Sequence, residues 1–381
     1  MTFKIFQLVT KRPFSVGKVF QQNGSKITCR NALYQAMDEE LGRDSRVFII
    51  GEEVAIYNGA YKVTKDLWEK YGLNRVIDTP ITESGFTGLA IGAAIAGLRP
   101  VCEFMSWSFS LQAMDHIMNT AAKFLYMSGG MYAVPVTFRG INATNTGVGA
   151  QHASCYSSLL TTCPGLKVVA PFSAADHKGL LKSAIRDPDP VCVLENEMLY
   201  NMEFEVEEEF FSDNFLLPIG KGKIELEGSH ITIVSFSQML LPCLAAAEHL
   251  NRDNISCEVI NLRSLRPYDY ELIFNSVMKT HALLIVEQGW PRCGIGADIS
   301  ATIMESPVFF ELDVPVTRLC GVDTPMPYAQ NLELAAVPST KNVIAAVRKL
   351  LGREITFTVT YVLLLSLILC QFSFFLFQQK T

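Results

Sequence analysis

Ten cysteines stand in the 381 residues, yet none forms a CxxC pair and none falls into a metal-ligand spacing. A zinc site or a disulfide framework is therefore not indicated, and free thiols in a reducing compartment are expected. Positive charge is also short. Thirty-two Lys and Arg stand against 38 Asp and Glu, a net of −6, which argues against a general nucleic-acid surface. Acid is missing altogether before Asp38.

What is there supports a folded enzyme-sized chain. The apolar share of 49% and the length predict two to three domains with buried sheets. The acid-free start carries Lys4, Lys11, Arg12, Lys18, Lys26 and Arg30 among Ser, Thr and Gln. No continuous apolar core follows, so residues 1–27 read as a mitochondrial transit peptide rather than a secretory signal, the alternative being a basic arm. At the other end, residues 352–381 contain Thr356 to Phe377, 22 residues without a charge, long enough to span a bilayer. This tail reads either as a membrane anchor or as translated non-coding sequence.

Between them, strand and helix patterns alternate. Residues 27–42 have helical periodicity, and VFII is apolar throughout, as a strand covered on both faces would be. Glu52 and Glu53 follow at its C-terminal end, where open α/β sheets place ligands. They are either site residues or two solvated carboxylates. RVIDTP and LRPVCEFM read as strands flanking a helix at 84–96, with Gly85, Gly88, Gly92 and Ala96 in one stripe. Glycine inside a helix costs about 1 kcal/mol against alanine, so the stripe predicts close approach of another backbone, that of a neighbouring subunit. Glu83 sits between strand and helix with apolar sequence on both sides, a costly place for an anion. Catalytic and structural readings of it are equally open on these residues alone. After an acidic linker at 203–225, a second run of alternating strands and helices predicts a second parallel sheet over 226–351.

TPITESGFTGLAIGAAIAGLRPVCEFM, INLRSLRPYD, VEQGWPRCGIGADI and GVDTPMPYA closely resemble the pyruvate dehydrogenase beta-subunit family of thiamine-diphosphate enzymes. The resemblance implies an α/β fold of two parallel-sheet domains, a transketolase-like pyrimidine-binding domain (28–202) followed by a transketolase C-terminal domain. It implies that Glu83 hydrogen-bonds N1′ of the cofactor's aminopyrimidine and shares a proton with it, with Glu52 supporting it. Met105 and Phe109 would border the cofactor, and His152, in the match GAQH, would line the channel as a substrate-binding or proton-moving group. Val136, Ala184, Ile185, Asp187 and Asp189 would hold a potassium ion, although relatives carry asparagine where Asp189 stands.

The chain departs from that family in places. INATNTG replaces a proline-asparagine-glycine start, and SSLLTTCPG replaces a stretch with an aromatic residue and a histidine, which is expected to alter the channel wall. Asn142-Ala143-Thr144 also matches a glycosylation sequon. No GDG followed by NN occurs anywhere, so the resemblance implies that magnesium and diphosphate lie on an alpha subunit, in an α2β2 tetramer that docks a dihydrolipoyl acetyltransferase core in the mitochondrial matrix. Alternatives are a branched-chain or other 2-oxo acid dehydrogenase beta subunit, or a non-catalytic paralogue governing assembly.

Overall fold

Strand β2 (Val47–Gly51) is buried at every residue, as a central strand of a sheet covered on both faces must be. It pairs in parallel with β3 (Val76–Asp78) on one side and β4 (Arg99–Phe104) on the other. Strands β5 (Thr137–Ile141), β7 (Val191–Glu195) and β6 (Lys167–Val169) continue the parallel run. The computed structural model describes residues 25–352. The expected leader lies outside the described residues up to position 24; its last three residues fall in β1 (Ser25–Thr28), antiparallel to β8 (Glu203–Val206). Of the expected tail, all but Gly352 lies outside the described residues. Among those described, no helix is long and apolar enough to cross a membrane.

A second sheet has the order β14 (Thr317–Leu319), β13 (Leu283–Val286), β10 (Ile231–Ser235), β11 (Cys257–Asn261) and β9 (Lys223–Leu226). It is parallel except for β9. The stretch 203–225 thus supplies β8 to the first half and most of β9 to the second. One strand crosses over: β12 (Ser264–Arg266) pairs antiparallel with β6 and closes the edge of the seven-stranded first sheet.

Helices cover the faces. Cys29–Arg43 starts on Thr28, whose side chain accepts from Asn31 N, and packs along Ala174–Arg186 through paired charges such as Glu40 with Arg186 at 2.7 Å. The organising helix runs Glu83–Ile95. Its glycine stripe faces outward. A Cβ at Gly85 would meet only Thr82 of its own first turn, one at Gly88 the His116 ring at 3.3 Å, and one at Gly92 nothing. Among the described residues no other backbone makes the close approach expected there, and neighbouring Leu89 and Ile81 are 58% and 84% exposed. Residues 109–127 form a 3-10 turn (Phe109–Ala113), a wider π turn (Asp115–Ala121) and an α segment (Ala122–Met127). Gly165 lies against the end of the π turn, where a Cβ would come within 1.9 Å of the Ala122 carbonyl oxygen, and its φ of +95° is one that glycine adopts freely.

Candidate active site

The site grows from the C-terminal ends of four adjacent parallel strands, β3, β2, β4 and β5, the end of an open α/β sheet where ligands bind. Beyond β2 the chain turns at once. Asp78, the last residue of β3, accepts from Ala55 N at 2.7 Å and Ile56 N at 3.0 Å, so its carboxylate fixes the loop that presents Glu52. Glu83 is the first residue of its helix and only 4% exposed. Gln112 Nε2 donates to Glu83 Oε2 at 3.2 Å. An ionised carboxylate can accept about four such bonds, so Glu83 keeps capacity for a ligand.

Glu52 is half-buried, and its Oε1 is buried with no hydrogen-bond partner among the described residues. Burial, and secondarily the charge of Glu83, push its carboxyl above the usual carboxylate range. A buried oxygen with no partner beside a second carboxylate suits a group that brings its own donors.

Gln112 and Phe109 share one 3-10 turn, so the turn that bonds Glu83 also sets Phe109. Phe109 in turn meets His152 edge-on, with ring centroids 5.2 Å apart. Glu83 and the Phe109–His152 pair are thereby joined through one turn, with Met105 just past β4 and half-buried. An aminopyrimidine, an apolar ring with polar edges, fits such a set of groups.

His152 rides on the loop 142–156. Asn142 anchors both ends: its N donates to Glu195 O at 2.7 Å, and its Oδ1 accepts from Tyr156 N at 2.8 Å. Asn142 is 7% exposed with its amide so engaged, which closes the sequon to glycosylation in the folded chain. Asn196 Nδ2 donates to the carbonyls of Asn142 and Ala143 at 3.3 and 3.1 Å. Beneath the loop, buried Arg139 on β5 bridges Glu103 on β4 and Glu195 on β7, and Tyr200 OH donates to Glu195 at 2.6 Å. Cys155, close to His152 in the chain, is half-buried, and the loss of water around its sulfur raises its thiol above the usual range and makes it a poor nucleophile.

The altered stretch after His152 lies elsewhere. Ser158, Thr161 and Thr162 line a cleft of about 1150 Å³ between the two halves, with Tyr126, Lys167 and Arg266. None of Glu52, Glu83, Phe109 or His152 lines that cleft. Helix Ser157–Thr161 carries these residues toward β6 and β12.

The five residues read as a potassium site lie at the opposite end of the sheet, before β5 and β7 and at the C-terminus of helix Ala174–Arg186. Arg99 Nη1 donates to the carbonyls of Ile185 and Asp187 at 2.8 and 3.2 Å, Val136 O accepts from Val191 N, and Ala184 O from Asp187 N. Lys167 pairs with the carboxylates of Asp187 and Asp189. Carbonyls gathered at the negative end of a helix suit a monovalent cation, which would share two of them with Arg99.

Sequence reasoning missed Asp78, Gln112, Arg139 and Asn196. Only Asp78 left a signal, an acid at the end of a strand leading straight into the Glu83 motif.

The family described as "Transketolase, pyrimidine binding domain" matches residues 25–203, and "Transketolase, C-terminal domain" matches 220–343. The chain is 58% identical over 328 residues to "Pyruvate dehydrogenase E1 component subunit beta, mitochondrial" of Caenorhabditis elegans, covering 86% of this chain and 93% of that one. The protein of the same name from Homo sapiens is 55% identical over 327 residues, with 86% and 91% covered. That of Dictyostelium discoideum is 55% identical over 329 residues, with 86% and 92% covered. A solved structure titled "Split gene transketolase, inactive beta4 tetramer" shares the fold at a TM-score of 0.67 and 22% identity, covering 86% of this chain and 99% of that one.

Proposed function

Because the chain belongs to the family of mitochondrial pyruvate dehydrogenase E1 beta subunits, built from the two transketolase domains, we propose that it serves thiamine-diphosphate-dependent oxidative decarboxylation of pyruvate. The product acetyl group passes to a lipoyl carrier. The observation that carries this reading is the continuous set Glu83, Gln112, Phe109 and His152, with the unpartnered oxygen of Glu52 beside it.

Thiamine diphosphate, when bound, supplies the carbon nucleophile and the electron sink for decarboxylation. The residues of this chain orient it and manage protons. Glu83 hydrogen-bonds the aminopyrimidine at N1′ and holds or releases the proton there. Glu52, whose carboxyl is held above the usual carboxylate range by burial and then by the charge of Glu83, supports Glu83. Met105 and Phe109 give an apolar border that excludes water. His152 binds the substrate or moves a proton at the mouth of the site.

The diphosphate and magnesium belong to an alpha subunit in this reading, since the chain carries no GDG…NN pattern. The partners are then an α2β2 tetramer and the acetyltransferase core, in the matrix. Val136, Ala184, Ile185, Asp187 and Asp189 hold potassium away from the reacting groups and stabilise the fold.

The test is reconstitution with an alpha subunit. Pyruvate should be decarboxylated faster than branched 2-oxo acids, and Glu83→Gln should slow the reaction by roughly 10²–10⁴-fold, the usual contribution of a general acid–base group. Unchanged turnover in Glu83→Gln would remove the assignment. Calorimetry on the chain alone should show weak thiamine diphosphate binding; tight magnesium-dependent binding would remove the two-subunit argument.

A further inference from the structure

The loop that carries His152 is held from two sides. Its ends are fixed within the first domain by Asn142 and Asn196, and Thr144 and Thr146 both reach Glu197 Oε2, at 3.2 and 3.3 Å. Its middle is held by the second domain. Glu333 Oε1 accepts from Gly147 N at 2.9 Å. Gln238 Nε2 donates to Asn145 Oδ1 at 3.3 Å, and Tyr328 lies so close to Gly149 that a Cβ there would be 3.0 Å from its ring. His152 N then donates to Gly149 O, at 3.4 Å.

We propose that Glu333 is a positioning residue for the pyruvate reaction, fixing from the second domain the loop that presents His152. This rests on the functional reading above. Glu333 is 3% exposed in helix Gln330–Ala336, so its carboxylate is spent on this contact rather than on water. A carboxylate accepting from a backbone amide makes a charge-assisted bond, roughly twice as strong as a neutral one. Gly147 and Gly149 have φ of +76° and +77°, a conformation glycine enters freely and leaves as freely. A loop built on two such residues needs an outside anchor to hold one shape. The line of contact runs from Glu333 through Gly147 and Gly149 to His152 and its partner Phe109. The second domain therefore shapes the active site, in addition to any part in assembly.

The experiment uses the reconstituted complex with pyruvate. Glu333→Met keeps bulk and removes the acceptor; it should lower kcat/KM between about tenfold and a hundredfold, as small misplacements of reacting groups do. Thiamine diphosphate affinity, set on the Glu83 side, should stay at the parental value. Glu333→Gln keeps a carbonyl oxygen and should recover most of the loss. In a His152→Ala background the Met substitution should add little, because its effect runs through that loop. Full additivity there, or parental activity of Glu333→Met, would overturn the proposal. If Glu333→Met does not fold, hydrogen exchange in the unaltered complex decides: protection of the Gly147 amide supports the latch, and exchange at the rate of an open loop overturns it. Absence of pyruvate turnover in the unaltered complex would instead strike the functional reading itself.

Discussion

Phe109 and His152 stand 43 positions apart in the chain and meet ring to ring, at 5.2 Å between centroids and 87° between planes. The contact gives the imidazole, otherwise on an exposed loop, a fixed plane. Edge-to-face pairs are worth about 0.5–1.5 kcal/mol beyond burial, so Phe109→Leu should lower kcat/KM for pyruvate by about two- to tenfold. Thermal stability should change little, since Phe109 is only partly buried. Parental kcat/KM in Phe109→Leu would show that the ring does not hold the imidazole.

Arg139 is the buried cation under the site. It shares β5 with the start of the His152 loop and donates to two carboxylates on neighbouring strands. Arg139→Met leaves Glu103 and Glu195 buried without a counter-charge, which typically costs about 3–5 kcal/mol. Arg139→Lys keeps the charge but loses the two-pronged bond to Glu195, so its loss should be smaller. Urea midpoints of the reconstituted complex measure both. Equal midpoints for the parent and Arg139→Met would mean that the two glutamates find other partners.

The parts of this architecture that could be read from the sequence are those whose cause is local. VFII announced β2 because both faces of a parallel strand are covered. Glu83 drew attention because an acid between apolar runs is rare, and the resemblance then suggested what it does. Gln112 and Glu333 gave no such sign. Each acts across the fold, Gln112 on a residue 29 positions away and Glu333 on one 186 positions away, and polar residues in ordinary helical sequence look alike whatever they will touch. Nearness in sequence is no guide to place either: Thr162 is ten positions from His152, and a short helix turns it into the cleft between the two halves.

Ala143 carries a strain that its neighbours tolerate. Its φ is +57°, in the left-handed region, and it sits where the family pattern of proline-asparagine-glycine has its glycine. An L-residue pays about 1–2 kcal/mol there, partly offset by the larger unfolded-state freedom that glycine brings. Ala143→Gly should therefore stabilise the protein by about 0.5–1 kcal/mol. Scanning calorimetry on parent and variant reads this directly. A lower melting temperature in Ala143→Gly would show that the buried methyl contributes more than the backbone strain costs.

Glu52 makes the folded protein's stability depend on pH, and the sign follows from its surroundings. Burial, then the nearby charge of Glu83, hold its carboxyl above the usual carboxylate range, and among the described residues its Oε1 has no donor to offset the loss of water. The folded chain thus binds this proton more tightly than the unfolded chain does. Below the ordinary carboxylate range both states are protonated, and the group contributes its full relative stability. As pH rises past that range the unfolded chain gives up its proton first, so folding loses stability until the raised folded value is passed and the loss levels off. Glu52→Gln keeps the shape and cannot ionise. The variant should gain on the parent as pH is raised from below the usual carboxylate range until Glu52 of the folded parent has ionised, because only the parent must ionise this half-buried group. Urea unfolding of both proteins across that range gives the difference at each pH. A difference that stays flat would mean that Glu52 is solvated in the assembled protein; one that moves the other way would mean that a cation reaches it there, and the support it lends Glu83 would have to be redrawn.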